Sequence, residues 1–418
     1  MTITDTLLLL DDAARTSALA QGADGGTIAL DAAPVLAWDQ HALDAIQAES
    51  ASPLLASRAL AMESIAVLAV EDAVAGAAAV RTADADTLEA VSDAAVAAAA
   101  HRILSDAFPA QGAALDTALA ESLAGVPDGA AGTVAVALGD VVADAVIALR
   151  ADDGWNAAVG YEGGTEPGAW RPTPPGFLPA LAPQWGSVEP FALASGDQFR
   201  PAGPPDLGSA EYAAALDEVE RLGSAASAER TPEQTEIARF WSDGAGTYTP
   251  PGHWNEIAAG IAAQEGLGAA DSARVLAALD IALADAGIAA WDAKYAYGAW
   301  RPITAIRLAD TDGNPATSAD PGWSPLLATP NHPEYLSGHA AFSAAAAEVL
   351  TGFFGGVAFT ATSAGALPGV AREFDGFADA ALEAGRSRIF AGIHFEYSDQ
   401  DGLALGRAVG DAVLDAFR

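Results

Sequence analysis

The feature that most limits what this chain can become is a succession of alanine-rich stretches interrupted every few residues by a carboxylate, such as LLASRALAMESIAVLAVEDAVAG over 54–76. Alanine is the best helix former, acids recurring at helical intervals mark a solvated face, and the β-branched alternation of strands is scarce. The pattern predicts an all-α protein. Ser52-Pro53 supplies a cap and a first-turn proline for one helix, and others are expected over 86–107, 111–124 and 132–150. Their lengths and short connections suit a bundle. The stretch 151–207 breaks the pattern: it is crowded with Pro, Gly and aromatics, resists helix, and is too rich in Trp and Phe for a solvated linker. An ordered wrap is expected there. Helical patterning resumes with a capping box at Thr231-Pro232-Glu233-Gln234 and continues over 253–266, 270–297, 338–354, 371–396 and 401–417. The organisation predicted is an N-terminal helical region (1–150), the Pro/Gly/Trp-rich wrap (151–207) and a C-terminal helical region (208–418) that carries the chemistry.

Composition narrows the partners. With 51% hydrophobic and 18% charged residues in 418, and a mean hydropathy of +0.22, the chain can bury a large core. Its formal charge of −37 repels phosphates, which argues against nucleic acid or an anionic membrane as partner. An excess of Asp and Glu fits a salty medium, where self-repulsion is screened; a salt-adapted cytoplasm and export both remain open as compartments, as does a homo-oligomer. Cysteine is absent, so there are no disulfides, thiolate metal sites or cysteine nucleophiles. MTITDTLLLLDDAARTS lacks the basic start of an ordinary signal peptide, and no apolar stretch reads as long enough to span a bilayer.

Against that acidic background the cations stand out. Lys294 is the single lysine and lies seven residues before Arg301-Pro302 in WDAKYAYGAWRP. The pentapeptide GAWRP occurs twice, at 168–172 and 298–302, but in the first copy Gly164 stands where the second has the lysine. Ancestral duplication and coincidence both explain such an echo. Three of six histidines fall in PNHPEYLSGHAAF and SRIFAGIHFEYS, as His332, His339 and His394. Ser337-Gly338 opens an alanine-rich helix, where a hydroxyl and free backbone N–H groups can receive an oxyanion. If 371–396 is one helix, Ser387 and His394 share a face with Arg388 beside it. Lysine offers a point charge and arginine a planar fork. Lys294, Arg301, Arg388, Ser337-Gly338 and the two histidines together describe a pocket for a tetrahedral or trigonal-bipyramidal oxyanion.

These blocks, in this order and at these spacings, resemble the signature of the superfamily shared by vanadium-dependent haloperoxidases and type 2 phosphatidic acid phosphatases. WSDGAGTYTPPGHWNEIA and the proline-rich middle resemble the bacterial haloperoxidase branch. The resemblance implies helical bundles and vanadate as cofactor, with phosphate able to occupy the same site. It implies that Lys294, Arg301, Arg388, Ser337 and the Gly338 N–H hold the oxyanion, that His394 is the axial vanadium ligand, and that His339 moves protons. Trp291 matches a tryptophan lining the site. His332 stands where chloroperoxidase-like members have Phe and algal bromoperoxidases have His, which favours bromide or iodide over chloride. The chain departs from the pattern at Leu336, usually Pro, and at Ser398, usually an Asp that orients the last histidine; Asp399 is the adjacent candidate to replace it.

The expected function is therefore oxidation of a halide by hydrogen peroxide to hypohalous acid, halogenating small organic acceptors. An alternative is a soluble phosphomonoesterase with a phosphohistidine on His394 and His339 as leaving-group acid. A further alternative is a non-catalytic oxyanion-binding protein.

Overall fold

Helices occupy most of the alanine-rich sequence in a computed structural model of the protein, which describes residues 30–80, 85–127, 129–363 and 367–417. The N-terminal MTITDTLLLLDDAARTS stretch, read for a signal peptide, lies outside the described residues. The chain divides into two units, the first made of residues up to 153 with 245–284, the second of 154–244 with 285–416.

In the first unit the helices are α1 (Ala33–Glu49), α2 (Pro53–Val80), α3 (Ala85–Ala107), α4 (Gly112–Leu123), α5 (Ala130–Arg150), α8 (Thr249–Glu265) and the first part of α9 (Ala269–Tyr297). The Ser52 cap is made, its Oγ accepting the Leu55 N–H at 3.3 Å. Small residues set the spacing: a Cβ on Gly139 of α5 would come 2.3 Å from the Ala95 carbonyl of α3, so only glycine permits that approach. Among the described residues two helices do have the length and hydropathy of a membrane span, contrary to the sequence reading: Pro53–Gly76 and Ala130–Arg150. Asp140 and Asp144 do not offset the valines, leucines and isoleucine of the second. The first is 83% buried and makes the core of its unit, whereas only 22% of the second is buried.

The second unit holds the Pro/Gly-rich segment, which is ordered and mostly irregular, then α6 (Ala210–Gly223), α7 (Pro232–Phe240), the end of α9, α10 (Pro302–Arg307), α11 (Gly338–Phe354), β1 (Phe359–Thr362), β2 (Ala371–Phe374), α12 (Phe377–Phe390) and α13 (Glu396–Ala416). The capping box closes in both directions, Gln234 N–H to Thr231 Oγ1 at 3.1 Å and Thr231 N–H to Gln234 Oε1 at 3.0 Å. Gly402, Gly406 and Gly410 form a stripe along α13 against α11; an added Cβ would meet Ser337 O at 2.8 Å, Ala341 O at 2.2 Å and Ala345 O at 3.0 Å. Replacing any of these glycines would push the two helices apart.

The stretch 371–396 is not one helix. Residues 371–374 pair antiparallel with 359–362, because Phe374 faces Phe359 across the ladder and Phe359 stacks on Phe377, burying aromatic area that helix propensity cannot offset. A second break follows Phe390, where Gly392 takes φ +80°. Gly392 lies against Gly223, and a Cβ there would be 2.4 Å from the Gly223 carbonyl. His394 therefore sits in a turn between α12 and α13, not on the helix face shared with Ser387.

Candidate functional site

Four segments of the second unit converge: the end of α9, the 298–302 turn, the 330–339 loop leading into α11, and the α12–α13 turn. Trp291 and Lys294 lie one turn apart on α9, with Lys294 Nζ 5.6 Å from the indole centroid. Gly298, at φ +57°, stops the helix. Pro302 then restricts Arg301 to extended backbone (φ −80°, ψ 155°), which turns the guanidinium inward before α10 begins. Ser337 caps α11, its Oγ facing the Ala340 N–H at 3.4 Å, and its own N–H donates to Ser398 O at 3.0 Å.

The polar contacts are dense. Lys294 Nζ donates to the carbonyls of Pro333 at 3.2 Å, Glu334 at 3.0 Å and Leu336. Arg301 donates from Nε to His332 O at 2.9 Å, from Nη1 to Ile393 O at 2.9 Å and to His394 Nε2 at 3.1 Å, and from Nη2 to His332 Nδ1 at 2.9 Å. Arg388 donates to Trp241 O. A guanidinium can only donate, so His394 Nε2 is a lone-pair acceptor. On the other side of the ring, Nδ1 is 2.8 Å from Glu334 Oε1, which also accepts the Phe395 N–H at 3.0 Å. The two neighbours fix the tautomer: Nδ1 carries the proton and Nε2 presents its lone pair. His332 packs on Trp291, ring centroids 4.8 Å apart.

Burial dominates the electrostatics. Lys294, Arg301 and Arg388 are essentially inaccessible. Desolvation, with Arg301 adding to it, pushes the Lys294 ammonium well below its ordinary value, and burial brings both arginines down to about 10. Glu334, fully buried, is pushed up to about 7 by burial against the pull of Arg301. His332, His339 and His394 are all held well below the usual imidazole range, first by burial and then by the neighbouring cations, and so are neutral. Asp243 lies near Arg388 and favours its charge. Two buried nitrogens, Arg388 Nε and His339 Nε2, have no hydrogen-bond partner. Three buried cations, an imidazole lone pair, orphaned nitrogens and the free N–H groups opening α11 fit an oxyanion such as vanadate or phosphate.

The structure thus gathers Trp291, Lys294, Arg301, His332, Ser337, Gly338, His339, Arg388 and His394 in one unit, where they touch one another or the same loop. It also supplies a residue that sequence reading did not single out, Glu334. Asp399 does not take the place of an orienting acid: its carboxylate lies against Gly385, and an added Cβ on that glycine would be 2.0 Å from Oδ1. Ser398 Oγ is 3.4 Å from His394 Nδ1, a weaker contact than the glutamate makes.

Fold and site together define a mainly helical protein with a buried cluster of cations and histidines whose chemistry fits an oxyanion. Comparison with known proteins refines that class. Residues 274–418 match the family model described as the VCPO second helical-bundle domain. Vanadium chloroperoxidase of Curvularia inaequalis is 30% identical over 303 residues, 61% of this chain and 48% of that protein, so the chain spans about half the length of this curated relative. The first bacterial vanadium-dependent iodoperoxidase structure superposes with a TM-score of 0.76 at 26% identity, covering 95% of this chain and 99% of that one. A holo-type bacterial vanadium-dependent chloroperoxidase shares the fold at a TM-score of 0.63 and 20% identity, over 78% and 82% of the two chains. Over 274–418 by sequence, and over most of the chain by fold, the protein is thus similar to vanadium haloperoxidases.

Proposed function

We propose that the protein oxidises a halide, bromide or iodide in preference to chloride, with hydrogen peroxide, and so halogenates small organic acceptors. The observation that carries this reading is the His394 Nε2 lone pair turned to the Arg301 guanidinium, within a buried group of three cations and one carboxylate. An uncharged nitrogen ligand and an excess of positive charge suit an anionic metal oxide better than a free cation. Bound vanadate would supply Lewis acidity that activates peroxide.

The chain's own groups divide the remaining work. Lys294, Arg301, Arg388, Ser337 and the Gly338 N–H would hold the oxyanion, and His394 Nε2 would be its nitrogen ligand. His339 is neutral, with a buried Nε2 that has no partner, so it is ready to accept a proton from peroxide. Lys294, anchored on the carbonyls of Pro333, Glu334 and Leu336, would add a compact positive charge to the site. Trp291 and His332 form an apolar and weakly polar wall beside Arg301, suited to a soft, poorly hydrated halide.

The test is direct. Vanadate-free protein is reconstituted with orthovanadate and assayed with peroxide, a dione acceptor and bromide, iodide or chloride in turn; halogenation dependent on vanadate is expected, fastest with iodide or bromide. p-Nitrophenyl phosphate is offered to the vanadate-free protein in parallel. Phosphate release without halogenation would replace this reading with the phosphatase one.

A further inference from the structure

We infer that Glu334 is the positioning residue for His394: its carboxylate holds the proton on Nδ1 and thereby aims the Nε2 lone pair at the oxyanion. The inference rests on the proposed function for the identity of that oxyanion, but its geometric core does not. Glu334 lies 60 residues before His394 in sequence, and Oε1 is 2.8 Å from Nδ1. Its other partners make it rigid. The Glu334 N–H donates to Ala299 O at 2.9 Å, its carbonyl receives Lys294 Nζ at 3.0 Å, and Oε1 also takes the Phe395 N–H at 3.0 Å. One residue, fully buried, therefore ties the imidazole to the loop that receives the lysine.

Ser398 also approaches Nδ1, but it is neutral and farther away, at 3.4 Å. A carboxylate raises the basicity of the opposite ring nitrogen more than a hydroxyl does, and removal of such a partner ordinarily weakens a metal site about 10- to 100-fold. Charge alone would act in the opposite direction. Neutralising Glu334 makes the pocket more cationic and should tighten any anion held by charge and hydrogen bonds only. Vanadate, which takes the imidazole lone pair, should weaken while inorganic phosphate should not.

The experiment compares wild type, Glu334→Gln, Ser398→Ala and the double variant Glu334→Gln/Ser398→Asp in the full-length protein. Affinities for orthovanadate and for inorganic phosphate are measured by calorimetry, and the His394 tautomer is read from ¹⁵N-histidine NMR, assigned against His394→Gln. Glutamine can still accept the Phe395 N–H, so the loop is expected to stay in place. Glu334→Gln should weaken vanadate about 10- to 100-fold, leave phosphate equal or tighter, and lose the single Nδ1–H tautomer. Ser398→Ala should change vanadate affinity by less than about 3-fold, and Ser398→Asp should restore most of the loss, since the serine oxygen is already near Nδ1. A parallel fall in both affinities, or an unchanged tautomer in Glu334→Gln, would make Glu334 a mere structural pin and overturn the inference. Equal damage from Ser398→Ala would transfer the role to the serine. If wild type binds no vanadate, the proposed function fails, and the tautomer readout still decides the role of Glu334.

Discussion

Each unit of the molecule buries a cluster of like charges, and the two clusters resolve the same electrostatic problem differently. In the first unit Asp39, Glu63 and Asp280 are buried near one another, and burial, reinforced by their mutual repulsion at Glu63 and Asp280, raises all three carboxyls. Among the described residues no three His, Cys, Asp or Glu side chains are arranged to hold a metal ion. These acids can take up protons and so become neutral; Asp280 Oδ1 accepts the Asn255 Nδ2–H at 2.7 Å, which opposes that shift without cancelling it. In the second unit Lys294, Arg301 and Arg388 are equally buried, yet an arginine brought down to about 10 is still charged at neutral pH. A carboxylate cluster can discharge itself; a guanidinium cluster needs an anion. That difference separates a structural cluster from a binding site.

The contrast is sharpest at Arg388. Replacing it with methionine removes a buried charge with an unpartnered Nε and leaves an apolar side chain of similar length. Halogenation is expected to fall about 10²- to 10³-fold, while the anion-free protein becomes more stable by on the order of 1–4 kcal/mol. Steady-state bromination and thermal melting of the same preparation check both halves. A variant that lost activity and also melted earlier would show that the cation stabilises the fold. Lys294→Arg comes next, at about 10²-fold in activity. It preserves charge, but a planar fork cannot reproduce three donors converging on the carbonyls of Pro333, Glu334 and Leu336. Retained activity in this variant would reduce the lysine to a source of charge.

Asp39→Asn tests the other cluster and should act in the opposite sense. Asp39 is pushed up to about 7 by burial, against an ordinary value of 3.8. Between those values the native state holds the proton more tightly than the unfolded chain does. This contribution is therefore complete below about pH 4 and is lost as pH rises through 7. Asparagine never ionises. The variant should be more stable than wild type at pH 8 by about 2 kcal/mol, within a ceiling of ~4 kcal/mol, and the difference should vanish near pH 4. Denaturant melts across that range measure it; a variant destabilised at pH 8 would mean that the carboxylate has a cationic partner there.

Much of the site was legible because cations and histidines are scarce in this sequence. One lysine, Arg301 before a proline, Ser-Gly before His339 and Ser-Arg before His394 are local patterns, and helix caps such as Thr231 are local as well. Glu334 was not legible, because in an acidic chain one more glutamate carries no signal, and its contact with His394 exists only when the 330–339 loop meets the α12–α13 turn. The break at Gly392 is hidden for a related reason: the glycine is required by contact with Gly223, 169 residues earlier, not by the sequence around it.

The repeated GAWRP marks the limit of motif reading most clearly. The two copies pair with each other, Trp170 N–H to Gly298 O at 2.7 Å and Trp300 N–H to Gly168 O at 2.8 Å, with positive φ at both glycines and both indoles buried. The pentapeptide is thus a pairing element in both places, and the surroundings of each arginine decide its use. Arg171 Nη2 reaches only five residues back, to Glu166 O at 2.8 Å, whereas Arg301 spans to His332, Ile393 and His394. Arg171→Ala should accordingly leave halogenation within about 2-fold of wild type, the size of effect expected away from a site. Arg301→Ala, with the same substitution in the same pentapeptide, should abolish it. Equal losses in the two variants, measured as vanadate-dependent bromination, would mean that pairing of the copies, rather than the guanidinium at His394, is what Arg301 supplies.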